Sequence, residues 1–247
     1  MRVTGFWIGL IAGGFGAMVG LGGGVIMVPL LVGWARLDQH RAHGTSLFAV
    51  AGTATVGVVS YAVGGQVDFV AAGLLTITAM LAARYGAAYT KRLNATRLKQ
   101  IFAYFLILTA LILPFKSHLP HVASGGAGAT SWVILLIAGA LAGYLSGLLG
   151  IGGGSVMVPA LVLGAGLPQQ LAQGTALAAM VLPSIIGAYT HWRLGHVDRK
   201  IAPPLLLGIV IGAFFGGQFA LSISEGILRW IFAVVLVWTG VRYLRSR

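Results

Sequence analysis

The chain has 247 residues, 58% of them hydrophobic and 8% charged, with a mean hydropathy of +0.94. This excludes a soluble core, because uncharged runs such as 44–63 reach the roughly 20 residues that a bilayer crossing needs. Without cysteine there is neither a disulfide framework nor a thiolate metal site. A net charge of +12 in so apolar a chain reads as a topology signal and an attraction to anionic lipid, not as nucleic-acid binding.

In chain order, apolar segments fall at about 5–33, 44–63, 69–90 and 98–115, and again at 132–164, 174–192, 201–222 and 226–244. Met1-Arg2 and the apolar run after it could pass for a secretory signal, but the counterpart at 139–159 lies in mid-chain, so the segment is expected to be structural and retained. The phrase Gly20-Leu-Gly-Gly-Gly-Val-Ile-Met-Val-Pro29 recurs as Gly150-Ile-Gly-Gly-Gly-Ser-Val-Met-Val-Pro159. A shift of 130 residues, without gaps, also aligns Gly44-Thr45 with Gly174-Thr175, Gly65 with Gly195 and Val67-Asp68 with Val197-Asp198, giving 21 identities in 49 positions from Gly20 to Asp68. The chain is therefore read as a first repeat over 1–116, a linker over 117–131 and a second repeat over 132–247.

The first segment of each repeat is too long for one span, and three glycines interrupt it. Each glycine costs a helix interior about 1 kcal/mol relative to alanine, and Pro29 and Pro159 each remove an amide donor one turn later. A break is expected there, giving two half-helices of about 14 residues, each roughly 20 Å long. Eight full crossings would put Arg36, Arg41, Lys91 and Arg92 on the opposite side from Arg193, Arg199, Lys200 and Arg242, which violates the preference for cytoplasmic cations. If each glycine segment enters and leaves on one face, those cations and Arg2 all become cytoplasmic, leaving Lys116 and Arg229 outside. Each repeat then has three crossings, and the repeats are inverted. The fold expected is an all-α polytopic membrane protein of two inverted-topology repeats, each a broken, re-entrant, glycine-rich helical hairpin plus three transmembrane helices, with cytoplasmic termini.

Two glycine breaks meeting near the bilayer centre would offer free amides and half-helix N-termini starting near Gly24 and Gly154. Such groups attract a small anion without placing a formal charge in the membrane. The competing reading is that the glycines only let helices cross closely. Gly22, Gly23, Gly24, Gly152, Gly153 and Gly154 are the candidate substrate-binding residues, with the hydroxyls of Thr45, Ser46 and Thr175 in support, although helix capping explains these threonines nearly as well. Ser46 is paired with Ala176, and His43 with Gln173. Gln39 and Gln169 are expected in solvent-facing connections, and Asp68 and Asp198 as helix caps, with a carboxylate in a proton or sodium pathway as the alternative. His191 and His196, with Trp192 and Arg193 between them, read as an interfacial cluster and not a metal site. Arg84 is expected to snorkel to the membrane surface.

The paired Gly-x-Gly-Gly-Gly-x-x-x-Val-Pro phrases, followed by Gly-Thr-Ser-Leu at 44–47 and Gly-Thr-Ala-Leu at 174–177, resemble the TauE/SafE sulfite exporter family over nearly the whole chain. The resemblance implies an inner-membrane permease, usually an exporter, for a small sulfur-containing anion such as sulfite or an organosulfonate. Transport by alternating access between the repeats would follow, with proton or sodium as candidate coupling ion, no cofactor and no enzymatic activity. A passive anion channel and a non-transporting membrane scaffold are the alternatives. The spans contain no acid pair, Ser–His pair or HExxH phrase, which disfavours an intramembrane enzyme.

Overall fold

The computed structural model describes residues 2–89, 95–118, 129–149 and 153–245, and these contain helices and short turns with no strand. In the first copy, α1 (Arg2–Val19) and α2 (Gly24–Gly33) flank the first glycine break; α3 (Gln39–Val63), α4 (Phe69–Tyr89) and α5 (Ala95–Ile112) follow, ending in a 3-10 turn at Leu113–His118. In the second copy, α6 (Ala129–Leu149) and α7 (Gly154–Pro159) flank the second break, and a π-helical turn at Ala160–Gly164 leads into α8 (Gln169–Arg193), α9 (Ala202–Ser222) and α10 (Glu225–Arg245). The half-helices begin at Gly24 and Gly154, but the halves are unequal: α1 has 18 residues and α2 has 10.

Helices α3, α8, α9 and α10 each hold a stretch long and apolar enough to cross a membrane. The outer surface is apolar too, carrying Trp7, Phe69, Leu81, Tyr104, Phe215 and Trp230 in exposed positions. A chain that is apolar both outside and inside is solvated by lipid, and this is a polytopic membrane protein.

Close packing depends on glycines spaced four apart. On α1, Gly5, Gly9 and Gly13 face Ile201, Leu205 and Ile209, while Gly208, Gly212 and Gly216 of α9 face Phe6, Leu10 and Gly14. A β-carbon at any of the last three would run into α1 backbone, so the two helices run parallel at near backbone contact. The second copy repeats the device: Gly139 and Gly143 of α6 lie against Leu75 and Ala79 of α4. Each copy's first helix thus packs along the other copy's fourth. At the centre α3 and α8 run antiparallel, with Gly57 against Leu177, Gly187 against Leu47, and Gly174 against Tyr61.

Candidate functional site

The first break folds back onto α1. Leu21 and Gly22 both donate their N–H to Gly16 O, at 3.0 and 3.2 Å, and Gly16 must be glycine because a β-carbon there would strike the Gly23 nitrogen. Gly20, Gly22 and Gly23 have φ of 75, 70 and 79°, the left-handed region that glycine enters without strain. The amides of Gly23, Gly24 and Val25 have no backbone acceptor among the described residues. Pro29, with no N–H, releases the Val25 carbonyl, which accepts a 3.5 Å hydrogen bond from Arg242 Nη1.

The second break differs locally. Gly152 lies outside the described residues, and Gly153 is right-handed at φ −77°, although Gly154 starts its helix as Gly24 does. The breaks meet. A β-carbon on Gly154 would lie 2.6 Å from Gly20 O and 3.1 Å from Met180 Cε, and one on Gly22 would lie 3.1 Å from Val50 and 3.7 Å from the same Met180 carbon. Gly20 in turn rests on Gln173 of α8. Five of the nine candidate residues, Gly22 to Gly24, Gly153 and Gly154, are therefore at the breaks and are packed closed in this conformation, and Ser46 is buried on α3.

Thr45 and Thr175 have a further task that sequence reading missed. Both are fully buried in the second turn of their helices, too far in to be N-caps; Asp38 and Pro168 hold those positions. The Thr45 hydroxyl oxygen accepts the Asp198 N–H at 3.0 Å, and the Thr175 oxygen accepts the Asp68 N–H at 3.0 Å. Gly44 and Gly174 let His196 O and Gln66 O come close beside them. The Gly-Thr pair of each copy is thus docked on the Gly-x-Val-Asp turn of the other, with the threonine protons left over to donate. The same aspartates cap: Asp68 Oδ1 accepts from Val70 and Ala71, and Asp198 Oδ1 accepts from Lys200 and Ile201.

Gln169 departs from the expectation of a solvent-facing residue: it is fully buried, because Glu225 accepts its N–H at 3.0 Å and the start of α10 covers the first turn of α8. The side chain of Gln39 lies outside the described residues. Buried Tyr61 places its hydroxyl 3.2 Å from Ala17 O and Met18 O and 3.0 Å from Gln173 Oε1, tying α3 to α1 and α8 just below the first break. Charge is divided between the ends of the bundle. Arg193, Arg199 and Lys200 share one end with His191 and His196, whose Nδ1 atoms are 3.4 Å apart. At the other, Lys116 donates to Gly166 O and Leu167 O, and Arg229 pairs with Glu225 at 3.4 Å. Arg84 is exposed, and no metal-holding group of three His, Cys, Asp or Glu occurs among the described residues.

The chain is similar to several curated transporters along its full length. It is 29% identical to the probable membrane transporter protein YunE of Bacillus subtilis, over 96% of this chain and 95% of that one. It is 27% identical to a probable membrane transporter protein of Xylella fastidiosa, over 97% and 90%, and 25% identical to one of Methanocaldococcus jannaschii, over 95% and 92%. No solved structure matches it. The profile of the sulfite exporter TauE/SafE family matches residues 1–113 and 135–247, the two copies in turn. Duplicated helices, paired glycine breaks and full-length relatives agree, and the chain belongs to the sulfite exporter TauE/SafE family of membrane transporters.

Proposed function

We infer that the protein is an inner-membrane permease, working as an exporter, that moves a small sulfur-containing anion such as sulfite or an organosulfonate by alternating access between two inverted repeats. The observation that carries this reading is the seating of Gly154 on the backbone of Gly20 and Leu21, which brings the second break up against the first and its spare amides. Amides there attract an anion at little desolvation cost, while the tight closure calls for one half to move before the site opens.

The inverted, re-entrant arrangement rests on three observations. Helices α3 and α8, equivalent in sequence, run antiparallel. Gly5 lies against Ile201 and Thr45 is bonded to Asp198, so α1 and α3 start at one end of the bundle and α2 must return there. In the second copy Gly164, at the end of the hairpin, is back beside Ile134 near its beginning. The arginine-rich end would be cytoplasmic and the Lys116–Arg229 end external. Proton or sodium coupling is part of the proposal. A thermal-shift screen of purified protein against sulfite, sulfate, thiosulfate, sulfoacetate and taurine tests the reading: a saturable rise in melting temperature for at least one, beyond chloride at equal ionic strength, is expected. No shift with any of them would contradict it.

A further inference from the structure

Among the described residues, four buried side chains carry polar atoms without a hydrogen-bond partner: Ser155 Oγ, Gln169 Nε2 and Oε1, Gln173 Nε2 and Arg229 Nε. All four belong to the second copy, and four of the five atoms can donate. Native proteins satisfy nearly all buried polar groups, so a set of spare donors in one region calls for an acceptor that the chain does not supply. The set is contiguous. Gln169 and Gln173 are one turn apart on the same face of α8, and Gln173 lies under Gly20, whose carbonyl is covered by Gly154, the neighbour of Ser155. At the outer end, Glu225 Oε1 joins Gln169 N–H and Arg229 Nη2. The Tyr61 hydroxyl, 3.0 Å from Gln173 Oε1, leaves the Nε2 of that amide to a different partner. The matching positions in the first copy are Gln39 for Gln169, Val25 for Ser155 and His43 for Gln173, so the duplication repeats only the first of the three.

We propose that Gln169, Gln173 and Ser155 of the second copy form the side-chain half of an oxyanion-binding site, running from Arg229 at the outer end of α8 to the meeting point of the breaks. This rests on the permease reading and adds to it the residues that read the ligand. The ligand class follows from the missing chemistry: a small anion with several acceptor oxygens, such as sulfite or an alkanesulfonate, satisfies spare amide and hydroxyl donors together, whereas a cation would find one spare carbonyl, that of Gln169. Burial excludes water from these donors, which strengthens each bond to a charged oxygen.

The test compares wild type with Ser155→Ala and Gln169→Met, which remove atoms bonded to nothing in the fold. It uses thermal unfolding of the purified full chain with and without sodium sulfite and sodium methanesulfonate, against chloride at equal ionic strength. Without anion, both variants should melt at or above the wild-type temperature, because a buried unpaired polar group is lost. With either anion, the half-saturating concentration should rise about tenfold or more in each, as expected for one lost hydrogen bond to a charged ligand. Wild-type affinity in both variants would overturn this assignment and leave the permease reading standing. So would a lower melting point in both without anion, since the atoms would then have structural partners. No anion response in wild type would overturn both.

Discussion

Removing the two threonine hydroxyls should loosen the seam between the copies at both ends. Thr175→Val keeps the shape of a fully buried side chain but strips the acceptor from the Asp68 N–H, bonded at 3.0 Å; Thr45→Val does the same to the Asp198 N–H. An ordinary internal hydrogen bond contributes about 1 kcal/mol net, and a donor left unpaired and dry costs about 1–3 kcal/mol. Both amides are part-buried at the start of a helix, so about 1–2 kcal/mol per site is expected. The sites share no partner and lie at opposite ends of α3 and α8, so the double variant should lose about 2–4 kcal/mol. Equilibrium unfolding by dodecyl sulfate titration in mixed micelles, followed by tryptophan fluorescence, measures this, and Thr175→Ser, which retains the oxygen, should fall between wild type and valine. Single valine variants within about 0.3 kcal/mol of wild type would refute the idea that these hydroxyls hold the copies together.

Gly212→Ala places a β-carbon against Leu10 O and within 2.9 Å of Gly14 N, both backbone, so α1 and α9 must part; a loss of about 1–3 kcal/mol in the same titration is expected, while Gly73→Ala, with nothing within 4 Å, should be harmless. The two glycine breaks should respond unequally: Gly23→Ala forces φ 79° on alanine and meets Ala12 O at 2.6 Å, so its yield of folded protein should fall. Gly153→Ala, at φ −77° and tight only against the flexible end of Met157 at 3.1 Å, with Ala142 at an ordinary 3.6 Å, should purify normally and isolate any effect on anion binding. Topology is testable with single cysteines in this cysteine-free chain: an impermeant thiol reagent in intact cells should label exposed Pro168→Cys and Ser224→Cys and spare exposed Arg36→Cys and Lys200→Cys. Labelling of all four or of the opposite pair would exclude the proposed orientation.

Much of the architecture was legible because it depends on local properties: runs of apolar residues, glycine triplets that break helices, and a repeat without gaps. The starts at Gly24 and Gly154 and the aspartate caps at 68 and 198 follow from such signals. What could not be read depends on contacts between distant segments. The matched Gly-Thr and Gly-x-Val-Asp phrases were visible as repeated residues, yet nothing local says that each docks on the other phrase of the opposite copy. Gln169 was expected in solvent because it stands in a polar connection; the residue that covers it, Glu225, lies 56 positions away. Gly65 and Gly195 were visible as a matched pair, but that both take left-handed φ, 68° and 73°, is a property of the folded turn. The spacing of Gly5, Gly9 and Gly13, and of Gly208, Gly212 and Gly216, was a usable sign of helix contact that composition alone conceals.

A permease in which the joined glycine breaks bind one anion per cycle must exchange that anion across the bilayer. Counterflow in proteoliposomes tests it most directly: vesicles loaded with unlabelled sulfite are diluted into a trace of radiolabelled sulfite, and internal label is followed with time. The account predicts a transient accumulation of label above its equilibrium level, an initial rate that saturates with sulfite concentration, and loss of both in Gly153→Ala. Label that only equilibrates, at a rate linear in concentration, would contradict it and indicate a channel; no uptake of sulfite or any organosulfonate above protein-free vesicles would remove the transport of sulfur anions altogether.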